Sequence, residues 1–127
     1  MSRKNVSSGG IWEELVGYSR AVRVGNLIEV AGTTAITEAG EIVGPGDAYA
    51  QTKFILEKIS KTLQGLDATM QHVIRTRIYV THIKDWEQVG KAHGEFFSVI
   101  RPASTLVEVS ALVKTGLLVE IEATAMI

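Results

Sequence analysis

His72-Val73-Ile74-Arg75-Thr76-Arg77-Ile78-Tyr79-Val80-Thr81 alternates apolar and polar side chains through its length. Ile74, Ile78 and Val80 point one way and Arg75, Arg77 and Tyr79 the other, as in a strand covered on one face only. A helix is expected on each side of this strand. Upstream, Thr52, Ile55, Leu56, Ile59 and Leu63 recur at helical spacing behind Asp47, which stands where an N-cap would accept backbone N–H bonds. That helix covers about 47 to 64, with Gly65 offering the left-handed residue that ends it. Downstream, a second helix runs from about Asp85 to Phe97, its apolar stripe formed by Trp86, Val89, His93, Phe96, Phe97 and Ile100. Gly90 and Gly94 interrupt it, each costing about 1 kcal/mol relative to alanine, and point to close backbone approach.

Further out, Ala21–Val24 and Leu27–Thr33 read as a hairpin around Gly25-Asn26, a dipeptide that tolerates positive φ. Residues 37–46 hold Gly40, Gly44, Pro45 and Gly46 and read as a loop. Arg101-Pro102 breaks the second helix; strands Thr105–Val109 and Leu118–Ala125 follow, joined around Lys114-Thr115-Gly116. Met1 to Gly10 is polar and reads as a loose arm, with a single domain, 11–127, opening on a strand near Ile11. The order predicts an α+β fold with a mixed sheet and both helices on one face. The other face would place Arg75, Arg77 and Tyr79 among Glu108, Glu120 and Glu122, either solvated or paired with another subunit.

The 127 residues suit one domain, and 46% hydrophobic with 21% charged residues is an ordinary globular balance. A formal charge of −1 gives no field to attract nucleic acid or an anionic membrane. The chain has no cysteine, so disulfides, thiol nucleophiles and thiolate metal sites are excluded. No secretory signal or membrane-length apolar run occurs, and a cytoplasmic protein is expected. His72, His82 and His93 lack ligand-like spacing, so no metal site is expected, and His93 on the apolar stripe reads as a hydrogen-bonded core residue. No Gly-x-Ser-x-Gly turn, dinucleotide fingerprint or phosphate loop occurs. Trp12 and Trp86 read as core or interface anchors.

Gly17-Tyr18-Ser19-Arg20-Ala21-Val22, Gly25-Asn26-Leu27-Ile28, Arg77-Ile78-Tyr79-Val80, Arg101-Pro102-Ala103-Ser104-Thr105-Leu106-Val107-Glu108-Val109 and Leu118-Val119-Glu120-Ile121-Glu122-Ala123 resemble the RidA/YjgF family. The likeness runs in register from Tyr18 to the C-terminus. It implies a chorismate-mutase-like fold, a homotrimer whose sheets form a central β-barrel, and three ligand clefts at subunit boundaries. Deaminases of the family hydrolyse enamine and imine intermediates such as 2-aminoacrylate to a 2-keto acid and ammonia without a cofactor. The resemblance assigns Glu120 as the carboxylate that positions water, Tyr18 as a pocket tyrosine and Gly32 as the glycine whose backbone approaches the ligand. Thr33 and Thr105, in the same blocks, are further substrate-binding candidates, as is Ser104.

Two positions depart from the deaminase pattern. Ser104 stands where those enzymes carry an arginine that clamps the substrate carboxylate, and Ala31 where they usually have serine. Arg20 and Arg101 are the candidates for a replacement cation, the plainer reading of each being a surface or subunit ion pair. The resemblance thus implies an enzyme of altered specificity for imines; the alternative is a trimeric protein that binds or senses a small metabolite without chemistry. Ribonuclease activity, a label some relatives carry, is disfavoured by the balanced charge and the lack of an aromatic groove for RNA.

Overall fold

The computed structural model describes residues 2–127. Its sheet has six strands in the order β1-β2-β3-β6-β4-β5. They are β1 (Arg3–Val6), β2 (Ala21–Val24), β3 (Leu27–Thr34), β4 (Val73–Val80), β5 (Ala103–Glu108) and β6 (Val119–Met126). Only β4 and β5 pair in parallel, which requires a crossover, and α3 (Trp86–Phe97) supplies it. β3 and β4 both run antiparallel to β6, which lies between them, and α2 (Ala48–Gln64) makes that wider crossover. α2 and α3 cover one face of the sheet, as the sequence pattern requires.

Local chemistry sets the boundaries. Asp47 caps α2, its carboxylate accepting from Ala50 N–H at 3.0 Å. The left-handed residue after α2 is Asp67 (φ 61), whereas Gly65 keeps a right-handed φ of −64. The last turn tightens instead, through Leu66 N–H to Leu63 O and Asp67 N–H to Gln64 O. Ser98 ends α3 in right-handed conformation, and Arg101 (φ 54) turns the chain beyond it, its N–H donating to Phe97 O at 2.8 Å.

The segment expected as a loose arm contains a strand. Arg3–Val6 pairs antiparallel with β2 from Arg3↔Val24 to Val6↔Ala21. Backbone pairing, which composition does not report, outweighs its polar side chains. The strand expected near Ile11 is a helix, α1 (Ile11–Val16), closed by Gly17 at φ 90. It leaves Ile11, Leu15 and Val16 exposed.

Ile28, Val30, Ile55, Leu56, Ile59, Leu63, Ile78, Val80, Val89, Phe97, Val119 and Ile121 form the core between sheet and helices. Two bulges decide which side chains enter it. Val30 faces Ala123 but Thr33 faces Ile121, so Ala31 and Gly32 oppose one residue. The inward parity therefore moves from Ile28 and Val30 to Thr33 and Ala35. A second shift, between Val73 and Arg75, turns Ile74 outward to 50% exposure, against the alternation read from its sequence. Trp86 is also exposed, and a Cβ on Gly90 or Gly94 would meet nothing within 4 Å. α3 buries Val89, Ala92 and Phe97, and Phe96 and Ile100 pack half-buried against the core, as the expected stripe has them.

Candidate functional site

The face away from the helices carries the expected polar residues, with one exchange. Tyr79 donates its hydroxyl to Glu122 at 2.8 Å, and Arg77 lies 3.8 Å from the same carboxylate. Thr124 donates to Glu29 at 2.6 Å, and Arg75 to Thr105 at 2.9 Å. Glu108 is on the helix side, where it accepts from Ile83 N–H at 2.9 Å, since β5 follows the parity of β4 from Thr76↔Ser104 to Val80↔Glu108.

Glu120 sits opposite Tyr79 on β4 and Thr34 on β3. Its carboxylate occupies the space a side chain at residue 32 would fill: a Cβ on Gly32 would overlap Oε2 and lie 2.9 Å from Cδ. Glycine at the bulge is thus what admits the carboxylate. Burial pushes the Glu120 pKa above the usual carboxylate value; Arg20 draws it back in part, and Glu122 adds to the rise.

Arg20 lies under this cluster and is 6% exposed. Its Nη2 donates to Gly32 O at 2.8 Å, tying β2 to the bulge, while Ala31 N–H donates to Arg20 O at 2.9 Å. The buried Nε has no partner. The guanidinium carbon lies 5.7 Å from the Tyr18 ring centroid, a cation–π arrangement. Its burial sets aside the surface half of the surface-or-subunit ion-pair reading; among the described residues the one ion pair is Arg77 with Glu122. Glu13 is nearby and buried. Burial raises its pKa, but hydrogen bonds from Ser8 and Ser7 and the charge of Arg20 outweigh this and hold it below the usual value.

Tyr18, Arg20, Gly32 and Glu120 are therefore brought together. Thr33 is not a binding side chain here: the bulge turns it into the core, fully buried, with its hydroxyl on Ala31 O at 2.9 Å. Thr105 is exposed and held by Arg75. Arg101 is exposed, and its side chain makes no hydrogen bond or ion pair among the described residues. Ser104 bonds Thr76 on the helix side of the sheet, opposite to the face that carries Glu120. Glu120 is not among the lining residues of a cavity of about 610 Å³, which is lined by Tyr18, Ala31, Arg77 and Glu122 together with Arg3 and Asn5 of β1. Sequence reasoning missed those last two because it gave β1 no strand.

A family model described as Endoribonuclease L-PSP matches residues 12–127. The chain belongs to this family, the RidA/YjgF proteins. It is 38% identical over 122 residues to an uncharacterized protein of Streptomyces coelicolor, covering 96% of this chain and 90% of that one. It is 30% identical over 125 residues to the 3-aminoacrylate deaminase RutC of Acinetobacter baylyi, covering 98% of each. The crystal structure of Rv2704, a YjgF/YER057c/UK114 family member from Mycobacterium tuberculosis, superposes with a TM-score of 0.90 at 49% identity, covering 99% of this chain and 100% of that one. The RidA/YjgF fold expected from the sequence is the fold found. No helix among the described residues is long and apolar enough to cross a membrane, and no group of three or more His, Asp or Glu among them could hold a metal ion.

The raised Glu120 pKa has a consequence for stability. The folded protein binds that proton more tightly than the unfolded chain, so this contribution is present at low pH and lost as pH rises through the elevated pKa. Glu120→Gln is expected to raise the thermal midpoint at pH 7 and leave it unchanged below the ordinary carboxylate range. Equal shifts at both pH values, measured by calorimetry, would contradict this assignment.

Proposed function

We propose that the protein binds a small metabolite at subunit boundaries of a homotrimer and hydrolyses an enamine or imine group on it, with a specificity different from that of the arginine-bearing deaminases. The observation that carries this reading is the half-buried Glu120 carboxylate lodged over Gly32 beside the buried Arg20 guanidinium. A carboxylate with a raised pKa is suited to take a proton from water as it adds to a C=N carbon. Arg20, whose Nε lacks a partner, supplies positive charge on this side of the sheet, and Tyr18 forms the outer wall. The likeness to RutC, a deaminase by name, supports the reaction class.

The same geometry supports assembly. Ser104 and Glu120 occupy opposite faces of the sheet, so a ligand touching both needs a second copy of the chain. The uncovered Ile11, Leu15 and Val16 of α1 favour such burial. A cytoplasmic setting belongs to this reading, as does the absence of a metal, an organic cofactor and a nucleic-acid partner.

The test is ketoacid formation from freshly generated 2-aminoacrylate, with the native chain, Ser104→Arg, Glu120→Gln and a no-protein control. Acceleration by the native chain that is lost in Glu120→Gln is the expected result. Acceleration by Ser104→Arg alone would show a scaffold retuned for another ligand. Silence in both, with saturable thermal stabilisation by a small acid, would favour the non-catalytic binding protein, and a monodisperse monomer in light scattering would remove the interface site.

A further inference from the structure

Away from Glu120, a chain of polar side chains runs from the helix layer to an open strand edge. The Thr76 hydroxyl on β4 lies 2.9 Å from His93 Nε2 on α3 and 2.8 Å from Ser104 Oγ on β5. Thr76 is fully buried, His93 half-buried and Ser104 exposed. The His93 ring is braced by Phe97, with 4.7 Å between ring centroids. A hydroxyl carries one hydrogen and two lone pairs, so Thr76 can donate to one neighbour while accepting from the other. With its hydrogen on His93 Nε2, Ser104 donates to Thr76 and turns its lone pairs outward. With Nε2 protonated, the chain reverses and the Ser104 hydrogen is free.

We propose that Ser104 is a nucleophile served by His93 through Thr76, and that it attacks the carbonyl carbon of small acyl esters. The Ser104 Oγ–C bond forms as the Ser104 proton passes to Thr76 Oγ and the Thr76 proton passes to His93 Nε2, leaving an imidazolium and an oxyanion. As the oxyanion collapses, His93 Nε2 returns its proton to Thr76, the Thr76 hydroxyl gives its own to the departing alkoxide, and the C–O bond to it breaks. Water then attacks the acyl-serine, giving its proton to the same chain, and releases the acid and a free Ser104. Each step conserves protons, and none needs an oxidant, reductant or cofactor.

Burial holds the His93 pKa below the usual histidine value, so the ring is neutral and able to accept a proton at pH 7. Several charged groups of the surrounding elements are engaged elsewhere, while Glu87 of α3 and Lys53, Glu57 and Lys61 of α2 are exposed to solvent. Glu95 and Lys91 of α3 meet Tyr49 of α2, Glu108 of β5 holds Ile83 N–H, and Arg75 and Arg77 of β4 lie on the opposite face. This activity does not rest on the imine reading, and either can fail without the other.

The experiment is hydrolysis of p-nitrophenyl acetate by the full chain, with the acetylated residue located by peptide mass spectrometry. The expected result is acetylation of Ser104, lost in Ser104→Ala and slowed at least about 100-fold in Thr76→Val and in His93→Gln, the lower end of what positioned acid–base groups contribute. Thr76→Ser, which restores the hydroxyl, should recover most of the native rate, and the rate should fall on acidification as His93 protonates. Absence of acetyl on Ser104 in the native protein would overturn the proposal. So would an unchanged rate in a folded Thr76→Val or His93→Gln protein.

Discussion

Gly32→Ala is expected to fold normally yet to lose at least about 100-fold of the proposed imine hydrolysis, the lower end of what a positioned general base supplies. The added methyl would collide with Oε2 and Cδ of Glu120, the end of a flexible side chain, so the carboxylate moves and the backbone stays. Gly32 is not at positive φ, so alanine adds no backbone strain there. The measurement is kcat/KM alongside the thermal midpoint. A native rate in Gly32→Ala would show that the carboxylate's place over residue 32 is irrelevant to the chemistry, and a collapsed midpoint would show that the bulge itself cannot adapt.

Ile121→Ala has the largest expected effect on stability, a loss of about 3–4 kcal/mol, because a fully buried isoleucine would leave a cavity its neighbours cannot fill. Ile121 is 0% exposed, lies opposite Thr33 on β3 and Ile78 on β4, and faces the helix layer. Against a typical domain stability of about 5–15 kcal/mol, the urea midpoint should fall steeply. Ile74→Ala, at the outward bulge, should cost less than about 1 kcal/mol. Equal costs for the two would mean that Ile74 is covered by a subunit partner.

These substitutions also mark what the chain disclosed before its structure was known. The 3.6-residue spacing of Thr52 to Leu63 and the cap at Asp47 were legible because both are local signals. So were the hairpin at Gly25-Asn26 and the strands flanking it. The bulges at Ala31-Gly32 and Ile74 were not, since a bulge arises from the register of a strand against a distant partner. That one effect moved Thr33 into the core and Ile74 out of it. β1 was hidden for a related reason: its four residues hold their place by main-chain pairing to β2, which leaves no pattern in side chains. The sequence offers Arg20 both as a replacement cation and as a surface or subunit ion pair, because nothing local says that a residue just before a strand will lie beneath the bulge of the next. The resemblance identified Glu120, Gly32 and Tyr18; the fold adds that Arg20 joins them and that Ser104, in the same chain, cannot.

The strand order sets the timing of synthesis. β6, residues 119–126, lies between β3 and β4, and Val119, Ile121, Ala123 and Ala125 are all part of the core. A nascent chain that has completed both crossover helices still has two sheet halves with unpaired inner edges and nothing to join them. Hydrophobic surface destined for the middle of the molecule stays open until residue 126 has been made. A chain cut before β6 would keep that gap open and be prone to pair with its neighbours.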